Sequence, residues 1–120
     1  MPLIDVTCGR AVTDRTRRRL AEILPEIVSI AIQCSDEPYD GNLQPGDVLI
    51  RFHDVGPFDR FDIDLLIEVK SKWFVDRSEN HQRRVDDIHA AVHQAASAHQ
   101  IGVYLTLPVA AWEQTDQQPE

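Results

Sequence analysis

Residues 2–8, PLIDVTC, alternate in character: Ile4, Val6 and Cys8 fall on one side of an extended chain, Asp5 and Thr7 on the other. A period of two predicts a half-buried strand that starts directly behind Met1. The period then changes. From Thr13 or Asp14, either of which can cap a helix, Leu20, Ile23, Leu24, Ile27, Val28 and Ala31 follow the spacing of one helical stripe, and Arg15, Arg17, Arg18 and Arg19 crowd its first turns. Pro25 lies inside that stretch and predicts a kink or a break, because it removes one donor from the helical ladder. A run of turn formers, SDEPYDGNLQPGD at 35–47, leads to a second alternating segment at 48–55, with Val48, Ile50 and Phe52 opposite Leu49, Arg51 and His53.

The same order then recurs. Residues 61–70 read as a long strand, and Asp76 with Glu79 has the spacing of a capping box for a helix that buries Val85, Ile88, Val92, Ala95 and Ala96. Residues 101–107 read as a fourth strand, and 113–120 as a polar tail. Matching elements are offset by roughly 50 to 65 residues, the scale on which a β-α-β unit repeats. The expected fold is α+β: one domain at 1–112 made of a duplicated β-α-β unit, repeat 1 at about 2–55 and repeat 2 at about 61–107. Right-handed crossovers put both helices on one face of a four-stranded mixed sheet. The other face, carrying Leu49, Arg51, His53, Leu66 and Glu68, is too apolar to be left to water and too small for a second core, so packing against further copies of the chain is expected.

Composition narrows the function classes. The chain has 120 residues, 20 acidic against 12 basic side chains and a net charge of −8, which argues against a nucleic-acid partner. Two cysteines, Cys8 and Cys34, are too few for a disulfide framework. No apolar run approaches the ~20 residues of a membrane span. The expectation is a cytoplasmic protein with no membrane partner.

The chemistry starts at Pro2. With Met1 removed, Pro2 would carry the only secondary amine of the protein. If the first and third strands pair antiparallel, the start of one lies beside the end of the other, so Pro2 meets Lys70; Lys72 shares the side of Lys70 if the chain is still extended there. An α-amino group titrates near ~8, and nearby ammonium groups with an apolar wall favour its neutral, basic form. The same lysines would hold a substrate carboxylate and stabilise an enolate oxygen. Trp73 and Phe74 follow and could wall such a pocket, although a core or interface role suits them equally.

A β-α-β duplication that begins at a proline directly after Met1 resembles the tautomerase superfamily, in particular its single-chain double β-α-β branches such as 5-carboxymethyl-2-hydroxymuconate isomerase and malonate semialdehyde decarboxylase. RFHDV from Arg51 resembles a segment of the muconate isomerases. LLIEVKSKWFVDRSENHQ resembles the decarboxylase pattern in which two basic residues spaced by one end the third strand. Gly9-Arg10 echoes a Gly-Arg pair of 4-oxalocrotonate tautomerase, in a strand one residue shorter. The resemblance implies a homotrimer and a catalytic Pro2, with Lys70, Lys72, Arg51 and Arg10 binding substrate. It also implies a tautomerase or isomerase of a small 2-hydroxy- or 2-oxo-carboxylic acid that needs neither cofactor nor metal. Decarboxylation or hydration of a similar acid is a variant of the same site.

The plain readings stand beside it. Proline at position two is common because it permits removal of the initiator, and lysines at a strand end are ordinarily solvated charges that protect an edge. On those readings the chain is a non-catalytic binding or assembly domain of ferredoxin-like order. His89 and His93 have the i, i+4 spacing of a metal clamp but no third ligand in reach, so they read as surface or subunit contacts. The RTRRR cluster, flanked by Asp14 and Glu22, reads as a solvated face.

Overall fold

The computed structural model describes residues 2–34 and 47–115. Met1, most of the loop predicted at 35–47 and the end of the tail lie outside them. The element order is β1 (Leu3–Cys8), α1 (Asp14–Ala31), β2 (Leu49–Asp54), β3 (Leu65–Lys70), α2 (Val75–Glu79), α3 (His81–Ala95) and β4 (Ile101–Thr106).

The four strands form one mixed sheet in the order β2-β1-β3-β4. β1 runs parallel to β2 and antiparallel to β3, and β3 runs parallel to β4. Each parallel pair is one β-α-β unit, and the antiparallel β1–β3 pair joins the two. The predicted duplication and its sheet are therefore present. Ile4, Val6 and Cys8 of β1, with Leu65, Ile67 and Val69 of β3, are fully buried against Leu20, Leu24 and Val28 of α1 and Ile88 and Val92 of α3. Both long helices cover this one face.

α1 opens as its sequence suggests, with the Thr13 hydroxyl accepting from the Thr16 N–H at 3.2 Å. It passes through Pro25 as one uninterrupted helix, against the expected break. The donor that Pro25 lacks would have bonded the carbonyl of Ala21, an exposed residue, while Leu24 and Val28 on either side hold the helix in the core.

Other expectations shift. β3 begins at Leu65 instead of Phe61, because β1 ends opposite it: Gly9 N–H donates to Asp64 O at 2.8 Å, and Asp64 N–H turns to Gln100 O at 2.9 Å. The second helix is divided at Asn80, and Asp76 is not its cap. Phe74 holds the N-cap position of α2 without a side-chain bond, and the Asn80 side chain accepts from Arg84 Nε at 2.6 Å instead of capping α3. Along α3 and its C-cap the buried positions are Arg84, Ile88, Val92 and Ala96; of the expected residues Val85 is half-buried and Ala95 faces solvent, and Arg84 is buried beside them.

The opposite sheet face is left uncovered by the described residues. Register arranges it in three rows: Leu49, Leu3, Lys70 and Thr106; then Arg51, Asp5, Glu68 and Tyr104; then His53, Thr7, Leu66 and Gly102. Leu49 is 47% exposed and Tyr104 69%.

Candidate functional site

Strand directions decide which ends meet. β1 and β2 start, and β3 and β4 finish, at the same end of the sheet. Pro2 stands there, half-buried, its carbonyl accepting from Leu49 N–H at 3.0 Å. Leu3 pairs with Lys70, so Pro2 is one residue beyond the pair, in line with Ser71. Paired Cα atoms in an antiparallel sheet are only about 4.5–5.5 Å apart, which brings the Lys70 backbone to the neighbourhood of the Pro2 nitrogen.

The chain stays extended past the end of β3. Ser71 N–H donates to Thr106 O at 3.1 Å and Trp73 N–H to Pro108 O at 2.9 Å, the alternate spacing of a continued parallel ladder. Lys70 and Lys72 therefore rise on the same side, with Ser71 buried between them. Trp73 is exposed beyond them, and Phe74 is half-buried under the Arg77 guanidinium, 5.4 Å from the ring centroid.

Arg51 and Arg10 are placed differently. Arg51 lies on the uncovered face one row in from the Leu3 pair, its Nε 3.0 Å from Asp5 Oδ1. His53 Nε2 stands 2.7 Å from the same oxygen. The hydrogen bond from His53, and then the Arg51 guanidinium, hold the Asp5 carboxyl below its ordinary value against the opposing effect of burial. The Asp5 side chain is only 13% exposed although it sits on the open face. Arg10, by contrast, follows the far end of β1, eight residues from Pro2, so within one chain it is not brought to the Pro2 end.

The remaining charged clusters lie away from Pro2. Arg17 spans Asp14 at 3.1 Å and Asp54 at 2.7 Å, and Arg19 faces Glu22 at 3.6 Å, as expected of a solvated face. Close by, burial pushes the Cys8 thiol up. A groove lined by Arg15, Thr16, Arg18, Arg19, Glu22 and Ala95 opens at this end of α1, opposite to Pro2. His89 and His93 stack with centroids 6.0 Å apart on exposed α3 positions, and among the described residues no three His, Cys, Asp or Glu side chains group as metal ligands. No helix among them is long and apolar enough to cross a membrane.

Sequence reasoning missed Arg77 and Arg84. Arg77 is 1% exposed and Arg84 7%. A signal was available for Arg84, which occupies the apolar stripe four residues before Ile88 and eight before Val92. Arg77 carried no such mark.

The doubled β-α-β unit with this strand order has the tautomerase-superfamily fold, which it shares with solved structures of that superfamily. They include a malonate semialdehyde decarboxylase at 14% identity and TM-score 0.60, covering 97% of this chain and 92% of its own. Leishmania major MIF2 aligns at 17% identity and TM-score 0.58, covering 96% of each chain. A fused 4-OT, a symmetric trimer, aligns at 13% identity and TM-score 0.57, covering 88% of this chain and 85% of its own. No protein-family model and no curated protein matches the sequence.

Proposed function

We propose that the chain is a cofactor-independent tautomerase or isomerase of a small 2-hydroxy- or 2-oxo-carboxylic acid, with Pro2 as general base and acid. The observation that carries this reading is the β1–β3 register, with Leu3 opposite Lys70 and the ladder continuing to Trp73. It supports a secondary amine and two ammonium groups at one end of the sheet. In the step envisaged, the Pro2 nitrogen takes a proton from the carbon next to the substrate carbonyl, and the electron pair moves onto the carbonyl oxygen. Lys70 and Lys72 hold the carboxylate and oppose the growing negative charge. The prolyl ammonium then returns the proton to another atom of the conjugated system.

The lysines favour the neutral amine by like-charge repulsion, which is the form a base requires. Three copies packed through the open sheet faces would cover Leu49 and Tyr104, and the symmetric trimer among the structural neighbours supports that assembly. It would also give Arg10 a route to the Pro2 end of another copy, and Trp73 a wall to form. A second reading, decarboxylation or hydration of a similar acid at the same site, is favoured by the likeness to a protein described with decarboxylase and hydratase activities.

Two measurements test the proposal. Intact mass must give a chain that begins at Pro2, because retained Met1 replaces the secondary amine with an amide. Phenylpyruvate, 2-hydroxymuconate and malonate semialdehyde, followed by ultraviolet absorbance, separate tautomerisation from loss of carbon dioxide. A chain that keeps Met1, or turns over none of the three, returns the reading to a binding or assembly domain.

A further inference from the structure

The C-terminal carbonyls of α1, the negative end of its dipole, lack partners within the helix. Two buried arginines that follow β3 take them. Arg77 Nε donates to Ile32 O at 2.9 Å, and Arg84 Nη1 donates to Ala31 O at 3.0 Å and Gln33 O at 2.8 Å. The two arginines differ in what else they hold. Arg84 Nε turns to Asn80 Oδ1 at 2.6 Å and its Nη2 faces Asp76 Oδ2 at 3.8 Å. Arg77 Nη1 instead donates to Lys72 O at 2.6 Å. The segment with the lysine pair is thus fixed on both sides: by the bonds of Ser71 and Trp73 to the β4 side, and by Arg77 to the end of α1.

We propose that Arg77 is a positioning residue for carboxylate binding, an inference that rests on the reading of Lys70 and Lys72 as the carboxylate site. At 1% exposure it does not meet substrate. It sets the backbone of Lys72 and hence the direction in which that ammonium is presented. The role needs a guanidinium. A planar fork bonds two divergent carbonyls while lying over Phe74, whereas an ammonium is a point donor on a flexible stem. Arg84 supplies an internal control, because it caps the same helix end and leaves Lys72 alone.

Arg77→Lys and Arg84→Lys are made in the full chain and again in a Lys72→Ala background, and assayed with whichever of the three acids is turned over. Arg77→Lys should raise KM about 5–10-fold with kcat within about twofold. Arg84→Lys should lower the melting temperature at least as much and leave KM in place. In the Lys72→Ala background Arg77→Lys should add less than about twofold to KM, since the group it positions is gone. The same KM rise in both backgrounds, or the same rise from Arg84→Lys, overturns the proposal. If Arg77→Lys does not fold, Arg77→Gln, whose planar amide keeps donors for one carbonyl, takes its place. If no acid is turned over, the functional reading falls by itself. Amide hydrogen exchange then decides the positioning claim: Arg77→Lys should speed exchange at Ser71 and Trp73 roughly tenfold relative to Ile67, and unchanged ratios reject it.

Discussion

Replacing Arg84 by methionine removes three hydrogen bonds and keeps most of the side-chain stem. The bonds go to Ala31 O, Gln33 O and Asn80 Oδ1, at 3.0, 2.8 and 2.6 Å. Bonds to charged groups contribute about 1.5–3 kcal/mol each where both partners are dry. Here Gln33 and Asn80 are exposed and Ala31 is half-buried, so the freed acceptors regain water. About 1 kcal/mol apiece is the better figure, and the methionine no longer bears the cost of desolvating a guanidinium. The net expected loss is therefore ~2–3 kcal/mol, which for a chain of this size lowers the melting temperature by roughly 6–15 °C. Circular dichroism at one fixed protein concentration measures it, because association would make the midpoint depend on concentration. Arg84→Lys should recover less than half of the loss, since an ammonium cannot span the two α1 carbonyls and Asn80 together. A methionine variant within about 2 °C of the parent, or a lysine variant equal to the parent, would mean that the arginine does not hold the end of α1.

Pro2→Ala leaves a primary amine of different basicity and greater freedom at the same point, so kcat/KM should fall by ~10–100-fold while the circular dichroism spectrum is unchanged; undiminished turnover removes Pro2 from the chemistry. Lys70→Ala and Lys72→Ala each weaken carboxylate binding and relieve the repulsion on the Pro2 ammonium. KM should therefore rise and the acidic limb of the pH–rate profile should move upward by up to ~1 unit, with glutamine in either place separating charge from size. Asp5 has a lower pKa folded than unfolded, so its contribution to stability is complete above about pH 4 and is lost as the pH falls through the folded value. Asp5→Asn should accordingly flatten the acid side of the stability–pH curve while changing its shape little above pH ~5, and an unaltered acid limb would contradict the Asp5–His53–Arg51 cluster. Sedimentation velocity at micromolar concentration should give a trimer, and a monomer alone counts against closure of the open sheet face.

Local periodicity carried the fold because burial imposes it one residue at a time. The alternation of PLIDVTC set Ile4, Val6 and Cys8 on one side of a strand, the placing of Leu66 and Glu68 on the open face left Leu65, Ile67 and Val69 for the other, and all six are buried under the stripe through Leu20, Leu24 and Val28. With chirality constraining the crossovers, those patterns leave few sheets to choose from. The antiparallel β1–β3 pairing was a condition that the duplication allowed and did not impose, and the tertiary structure supplies it, with Leu3 opposite Lys70. The division at Asn80, the burial of Arg77 and the clamp on Asp5 follow from no local pattern. Arg77 reaches a carbonyl 45 residues earlier in the chain and Arg84 one 53 residues earlier, while Asp5 meets Arg51 and His53 across 46 and 48 residues. A charged side chain is read by default as solvated; it becomes a buried tie only when folding brings it acceptors that have lost their water, and here those acceptors are the helix-end carbonyls of the other repeat.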